Sequence, residues 1–277
     1  MAICDPRPDL SRFVVMKRRI PDELRAAGSE VRAAGADLRS AGAEVKAAGA
    51  EMVAARVAAG AEAIAKVKPK LRGYVHQYAF FVALALGVAL VLLANGAKAK
   101  VAALVYALSL AGLLGTSALY HRVNWSAVAR RRMRRLDHSM IFVLIAGTVT
   151  PIALLAVEGT LGVVLLSIVW GVALGGIVMK LLWIDSPKWV SALIYSAAGL
   201  IGTIAIGSLL GTVGVVAVCM IGLGGACYIA GGTIYALGRP DPLPATFGYH
   251  EVFHVLVVVA AALHFTAIAG WVVPLGA

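Results

Sequence analysis

Long apolar runs separated by short polar breaks dominate the chain after residue 72. A helix that crosses about 30 Å of hydrocarbon needs about 20 apolar residues at 1.5 Å per residue. Because lipid cannot hydrogen-bond exposed backbone groups, and because the runs do not alternate as barrel strands do, we expect them to be helices. The pattern predicts an all-α bundle of seven transmembrane helices over residues 73–277, at about 74–95, 99–120, 136–157, 160–182, 188–210, 213–236 and 250–274.

Residues 24–58 carry a seven-residue repeat, and we expect residues 1–72 to form a separate, cytoplasmic amphipathic helical extension. Each of the first four repeats has one large apolar residue, an alanine three positions later and a glycine, and glycine costs a helix about 1 kcal/mol relative to alanine. An acid stands just before each large residue, and a base stands just after each of the first four. Three interpretations of this helix stay open: a solvated helix, a coiled coil and a helix lying on the inner leaflet. The large residues are Leu24, Val31, Leu38, Val45 and Met52.

Composition and charge support a membrane protein. Of the 277 residues, 61% are hydrophobic and 14% are charged, with a mean hydropathy of +0.88, whereas soluble chains average about 45–50% apolar and 25% charged residues. The loop after the second span holds Arg122 and five arginines within 130–135, and such loops are cytoplasmic by the positive-inside rule. We therefore expect a multi-pass cell-membrane protein with a cytoplasmic N-terminus, an external C-terminus and no nucleic-acid partner.

Ionisable side chains inside a membrane are costly, so each one in the spans is a candidate functional residue. His250 and His254 are four residues apart and share one face of the seventh helix. Ser117 and His121 have the same spacing at the end of the second helix, and Asp137 opens the third. Since the second helix ends at the cytoplasmic side, where the third and seventh begin, the topology brings these five residues to one depth.

The three converging histidines predict a metal site. Catalytic zinc is usually bound by three protein ligands such as imidazoles, and its fourth coordination position is left open. We therefore predict a Zn2+ ion bound by His121, His250 and His254, with Asp137 and Ser117 as candidate catalytic residues. Asp137 could act as the base that accepts a proton from water, or it could bind the metal directly, and both alternatives stay open.

Other histidines and a neighbouring glutamate are weaker candidates. Residues His250–His254 match the HExxH pattern of zinc proteases, whose glutamate is the base. Because this match opens a transmembrane helix, we favour Asp137 over Glu251 as the base. His264 lies about 20 Å deeper than the start of its helix and is expected to make a polar contact within the bundle. His138 points about 100° away from Asp137 and lies outside the predicted ligand set.

At these positions the sequence resembles the haemolysin III family, the bacterial branch of the progestin and adipoQ receptor superfamily. The family pattern is S-x3-H, then an aspartate, then H-x3-H, and all five positions are met. The resemblance covers about residues 73–277. The matching segments are 117–121 (SALYH), 135–141 (RLDHSMI), 146–151 (AGTVTP), 235–244 (YALGRPDPLP) and 248–254 (GYHEVFH).

The resemblance implies a seven-helix fold with zinc on the three motif histidines and with the motif aspartate and serine beside it. The family's first motif is largely missing, since the run 70–76 keeps only His76 of it. The receptor branch has been linked to hydrolysis of lipid amides such as ceramides, whereas bacterial members are named for haemolysis. Two classes stay open: a zinc-dependent hydrolase of lipid amide or ester bonds, and a non-enzymatic sensor or pore with structural zinc.

Glycines recur in the later helices, where they let helix backbones approach closely. We expect tight packing inside the bundle, and the alternative is self-association through glycine faces. Membrane lipids are the expected partners, and a homo-oligomer could form through these faces or through the N-terminal repeat. The glycines are Gly171, Gly175, Gly222, Gly224, Gly225, Gly231 and Gly232.

Overall fold

The computed structural model describes the backbone of residues 10–66 and 69–276, and the side chains of residues 22–57 and 69–276. The described residues are almost entirely helical, and the pairing of Leu243 with Phe247 is an isolated bridge rather than part of a sheet. The predicted all-α class is therefore confirmed. The helices are α1 (Leu10–Lys66), α2 (Tyr74–Leu93), α3 (Ala97–Arg122), α4 (Ala127–Pro151), α5 (Gly159–Leu182), α6 (Lys188–Leu200), α7 (Ile206–Leu237) and α8 (Tyr249–Ala267).

The chain forms two compact units, which divide after Lys66. The first consists of α1, where the large residues of the repeat are exposed, at 68% for Leu24 and 76% for Leu38. The second contains α2 to α8. The division into domains at residues 1–72 and 73–277 stays a prediction.

Within the described part of the second unit, six helical segments are long and apolar enough to cross a membrane. Large apolar side chains on their outer faces are exposed, at 77% for Leu93 and 80% for Leu182. A soluble protein would bury such a continuous apolar surface, whereas a bilayer solvates it. The second unit is thus a multi-pass membrane bundle, with segments Tyr74–Leu93, Ala97–Arg122, Ala127–Ala156, Gly159–Leu182, Lys188–Leu237 and Tyr249–Gly276.

The segment Lys188–Leu237 folds back on itself at Gly214. A straight helix of its 50 residues would be about 75 Å long, more than twice the hydrocarbon thickness. Gly214 has φ 78° and ψ 172°, which are not helical angles. A Cβ built on Gly232 would lie 3.8 Å from the Cβ of Ala192, so the two arms run side by side. The arms correspond to the predicted spans 188–210 and 213–236, and the total of seven crossings stays a prediction.

The arginine-rich segment lies on a helix rather than in a loop as predicted. The α4 helix begins at Ala127, nine residues before the predicted third span, and therefore carries the arginines of 130–135 on its first turns. Ser126 caps this end, because its hydroxyl accepts a hydrogen bond from the Ala129 N–H at 3.4 Å. A capped, solvated first turn needs no apolar residues, so hydropathy alone placed the start too late.

The centre of the bundle is formed by α3 and α4, which are the most buried of the apolar segments. One apolar cluster joins α2, α3 and α8 around Leu90, Tyr106 and Val257. A second joins α4, α5 and α7 around Phe142 and Leu165. The start of α2, the end of α3 and the start of α8 meet at one end of the bundle, where a Cβ on Gly73 would touch His121 and the His76 ring stacks on that of His254.

Candidate metal centre

Three histidines from two helices meet at this end of the bundle. His121 lies in the last turn of α3, and His250 and His254 lie on the first two turns of α8. One ring nitrogen from each of the three lies within 4.8 Å of the others. The Nε2 atoms of His121 and His250 are 3.2 Å apart, and the ring centroids are separated by 4.6–5.0 Å. The structure therefore brings the predicted ligands together.

The donor set fits a zinc ion. Tetrahedral zinc with Zn–N bonds of about 2.0–2.1 Å places two ligand nitrogens about 3.3 Å apart, close to the His121–His250 separation. The Nδ1 of His254 is buried and has no hydrogen-bond partner among the described residues. A buried polar atom without a partner is costly, and a metal bound directly to this nitrogen would offset part of that cost. Histidine nitrogens are common zinc ligands, so the three residues could hold this metal.

Glycine at residue 73 allows α2 to approach the site. Gly73 precedes α2 with φ +83°, a left-handed conformation that glycine adopts at little cost. A Cβ at this position would lie 2.7 Å from the Cβ of His121, so a side chain there would also collide with a site residue. The first turn of α2 thus packs directly against the end of α3.

His76, in the first turn of α2, is a site neighbour that the sequence argument did not include. Its ring is 2% exposed and stacks on that of His254, with centroids 3.8 Å apart and an angle of 6° between the planes. Its position at the start of the first span, at the same membrane depth as His254, is the signal that could have identified it. The stacking restricts the rotation of the His254 ring.

The start of α8 is fixed by two carboxylates. Glu251 accepts hydrogen bonds from the Gly248 N–H at 2.9 Å and from the Arg72 guanidinium. Asp241 accepts the Tyr249 N–H at 2.8 Å. These bonds satisfy helix N-terminal donors, and negative charge is favourable at this end of a helix. Both carboxylates therefore help to place His250, which lies between Tyr249 and Glu251, and His254 in the next turn.

Glu251 is consequently a structural residue. Its side chain is 1% exposed, and both oxygens are engaged by Arg72 and Gly248. In zinc proteases the glutamate of HExxH must face the metal as a free base. The bonds to Arg72 and Gly248 agree with the preference for Asp137 over Glu251.

Asp137 and Ser117 form a second polar pair on the helices beside the histidines. Ser117 is a side-chain hydrogen-bond partner of Asp137, which joins α3 to α4. Ser117 is buried and stands one helical turn before His121 on the same face. Among the described residues, the Asp137 carboxylate does not belong to the set of ligand atoms within 4.8 Å of one another. This placement favours a role beside the metal site over direct ligation.

Aromatic rings surround the histidines. Tyr120 lies 4.6 Å from His121, and Tyr235 and Phe253 lie 5.6 Å and 5.8 Å from His250, measured between ring centroids. These rings restrict the access of water, and polar interactions are stronger in such a surrounding than in bulk solvent.

The other two histidines of the bundle lie elsewhere. The Nε2 of His264 is 2.9 Å from the Ile221 carbonyl oxygen, which confirms the expected polar contact within the bundle. Gly224 makes room for this ring, because a Cβ there would lie 2.4 Å from its Cδ2 atom. His138 faces Tyr195, whose hydroxyl donates to the His138 carbonyl at 3.2 Å.

The glycines have two kinds of surroundings. Cβ atoms on Gly224 and Gly231 would meet His264 and Phe253, so tight packing is confirmed at these two positions. Four others have no atom within 4 Å of an added Cβ, and self-association through them stays a prediction. These are Gly171, Gly175, Gly222 and Gly225.

Comparison with known proteins gives consistent matches. A family described as "Haemolysin-III related" matches residues 64–265. The chain is 33% identical to Hemolysin-3 of Bacillus cereus over 182 residues, which cover 64% of this chain and 78% of that protein. It is 33% identical to the Hemolysin-3 homolog of Bacillus subtilis (strain 168) over 161 residues, covering 58% and 72%. It is 28% identical to the human Monocyte to macrophage differentiation factor over 177 residues, covering 61% and 69%.

Proposed function

Because the chain belongs to the haemolysin-III-related family, as its motif positions predicted, we propose that it is a zinc protein of the cell membrane that hydrolyses an amide or ester bond of a lipid. The observation that carries this proposal is the convergence of His121, His250 and His254 beside the Ser117–Asp137 pair. A site that served only to tie helices together would not require an additional carboxylate and hydroxyl at its edge.

The ligands in this proposal are the three histidines, and the site lies towards the cytoplasmic face. A bound zinc ion supplies Lewis acidity, which polarises a carbonyl group and makes a water molecule more acidic. The stacked ring of His76 and the carboxylate of Glu251 hold the α8 histidines in position. Such indirect support is what keeps metal ligands in one orientation.

Asp137 is the proposed general base. It accepts a proton from the attacking water and can return it to the leaving amine or alcohol. The Ser117 hydroxyl donates a hydrogen bond to the carboxylate and so fixes its orientation. Ser117 can also turn its hydroxyl towards the oxyanion that develops on the substrate, since it stands one turn from His121.

A lipid substrate is supported by a groove on the outer face of the bundle. This groove, of about 420 Å3, lies between α2 and α3 and is lined by Phe80, Phe81 and Leu119. Its polar end holds Arg122, whose Nε donates to Gln77 at 3.1 Å. Because Leu119 and Arg122 flank His121 in α3, an acyl chain in the groove would have its polar group at the depth of the histidines.

Turnover of the purified protein on a panel of lipid amides and esters tests this proposal. We expect hydrolysis of at least one lipid, its loss on treatment with a chelator and its recovery on addition of zinc. Bound zinc without turnover on any lipid would contradict the hydrolase and favour a sensor or a pore. Turnover that survives complete zinc removal would contradict the zinc mechanism.

A further inference from the structure

Among the residues that the structure describes, the apolar stripe of α1 has no partner in its own unit. Its large residues are 61–76% exposed across five consecutive repeats. Alanine and glycine occupy the neighbouring positions, so the stripe is narrow. A helix with one glycine per repeat is marginal in isolation. The residues of the stripe are Leu24, Val31, Leu38, Val45 and Met52.

Arg25 lies 4.0 Å from Asp22, but the charges of the repeat from Glu30 to Arg56 have no oppositely charged residue three or four positions away in the helix. Ion pairs that stabilise a single helix join residues three or four apart. The residues three and four away from Glu30 on either side are all alanines, and those around Arg39 are glycines and alanines. Asp37, Glu44 and Lys46 likewise have alanine or glycine at the positions three and four residues away, except that Ser40 is one of these neighbours for both acids. This spacing is unfavourable for a helix that acts alone in water.

The repeat also fits a flat bilayer poorly. An ideal α-helix drifts by about 20° per heptad, so the stripe turns by about 80° between Leu24 and Met52 and cannot face a plane along its whole length. Residues 22–57 contain six acids and five bases, a net charge of −1, so the repeat itself is not attracted to anionic lipids, and the excess of bases in α1 precedes it in residues 12–19. A strict seven-residue period is instead typical of helices that supercoil around one another.

The charge pattern selects parallel pairing. With 100° per residue, the acid lies at −100° and the base at +100° from each large residue. Two parallel copies facing each other through this stripe are related by rotation about an axis parallel to both helices. The acidic flank of each copy then lies along the basic flank of the other. An antiparallel arrangement would set acid against acid and base against base.

Glycine allows the basic side chains to reach this flank. The Nε of Arg32 donates to the Gly28 carbonyl at 3.1 Å, and that of Arg39 to the Gly35 carbonyl at 3.0 Å. Each guanidinium therefore lies over a glycine, with its Nη2 atom 3.8–3.9 Å from the position of a Cβ. This glycine stands four residues after a large apolar residue. In a parallel coiled coil that position lies beside the residue that precedes the large apolar residue of the second copy, which is the acid of the repeat.

We propose that α1 associates in parallel with α1 of a second copy of this chain, so that the membrane protein is a dimer through its N-terminal repeat. Copies inserted in the same way present their N-termini on the same side of the membrane, which also favours the parallel arrangement. The pairing places Glu30 beside Arg39 of the second copy, and Asp37 beside Lys46 of the second copy. This inference is independent of zinc and of hydrolysis.

Cysteine cross-linking of the full-length protein in its membrane tests the pairing. In a background with Cys4→Ser, Cys219→Ser and Cys227→Ser, oxidation should give a disulfide-linked dimer for Val31→Cys. The matched control Ala33→Cys lies 200° away on the helix and should stay monomeric. Equal cross-linking of the two variants, or none in either, would overturn the proposal.

Two mixed experiments test direction and charge. Leu24→Cys and Met52→Cys should each cross-link with itself, and a mixed product of the two as the main species would show antiparallel pairing and overturn the proposal. Glu30→Lys with Asp37→Lys should abolish the Val31→Cys dimer, and adding Arg39→Glu and Lys46→Glu should restore it. Retention of the dimer without the compensating changes, or no recovery with them, would show that the flanking charges do not select the partner.

Discussion

Single residues at the end of the bundle have separate structural and chemical tasks. Glu251 and Asp137 are both carboxylates beside the histidines, but their partners differ. Glu251 bonds to Arg72 and a backbone N–H, whereas Asp137 has a serine hydroxyl as its partner. Both oxygens of Glu251 already accept hydrogen bonds from these donors, so the base assignment depends on Asp137.

Asp137→Asn tests the proposed base. The substitution preserves the size of the side chain but removes its ability to accept a proton, so we expect turnover to fall about 10²–10⁴-fold while bound zinc and Tm stay close to the parent values. Asp185→Asn is the matched control, because Asp185 pairs with Arg131 and Arg134 at the surface. Loss of zinc in Asp137→Asn would identify the aspartate as a ligand. Unchanged turnover would remove it from the mechanism.

Glu251→Gln tests the structural role of the second carboxylate. We expect destabilisation by about 3 kcal/mol, the low end for a disrupted buried ion pair, because Arg72 keeps partial access to water. Thermal unfolding of Glu251→Gln, Arg72→Ala and the double variant should show non-additive effects. Glu158→Gln, at an exposed position that makes no side-chain cap, should change Tm little. A stable Glu251→Gln variant that lacks turnover would make Glu251 the base.

At this scale, the convergence of the three histidines was largely predictable from the sequence. His121, His250 and His254 have helical spacing and fall at ends of spans that topology brings together, so no side-chain contact had to be known. The stack of His76 on His254 and the pair of Arg72 with Glu251 depend on how segment 69–72 packs. That packing uses backbone bonds from Lys70 and Leu71 to the 245–246 loop, and no residue pattern marks it.

Among the helices, the turn inside α7 depends on one glycine. Gly214 adopts φ 78° and ψ 172°, a region that is essentially restricted to glycine. Hydropathy predicted a break near residue 212 because the apolar run is too long for one crossing, which brought the prediction within two residues of Gly214. It did not identify which of the nearby glycines makes the turn, since that depends on backbone angles.

Gly214→Ala should destabilise the bundle by about 1–3 kcal/mol, because a side chain is strained in this conformation. Gly211→Ala is the control: it lies in the same segment, its added Cβ meets no atom within 4 Å and its φ is not positive. Thermal unfolding in detergent measures both. Equal Tm values for the two variants would contradict the turn at Gly214.

Lys180 shows where hydropathy and charge rules mislead at the level of helices. The positive-inside argument treats lysines at span ends as solvated loop charges, but Lys180 is in α5 and fully buried. Its ammonium donates to the hydroxyls of Ser186 and Ser191, which joins the end of α5 to the start of α6. Only the folded arrangement reveals this role, since both serines come from the following turn and helix.

For the whole molecule, orientation in the membrane follows from charge and stays a prediction. We expect a reporter fused after Asn124, between α3 and α4, to be cytoplasmic, because α4 begins with five arginines. A reporter fused after Ala277, which lies outside the described residues, should be external. Alkaline phosphatase, active only outside, and green fluorescent protein, fluorescent only inside, give opposite signals at each site. Reporters on the same side at both positions would contradict seven crossings.

The zinc content of the purified full-length protein tests the central claim most directly. Elemental mass spectrometry should find about one zinc per chain in the parent protein. It should find the same in the control variant His264→Ala, because the His264 ring lies deeper in the same helix, beside Ile221. Zinc should be lost in His121→Ala and in the His250→Ala/His254→Ala pair, with a lower Tm because the bound metal stabilises the folded state. Parent-level zinc in these variants, or no zinc in a parent protein purified from zinc-supplemented cells, would contradict the three-histidine site.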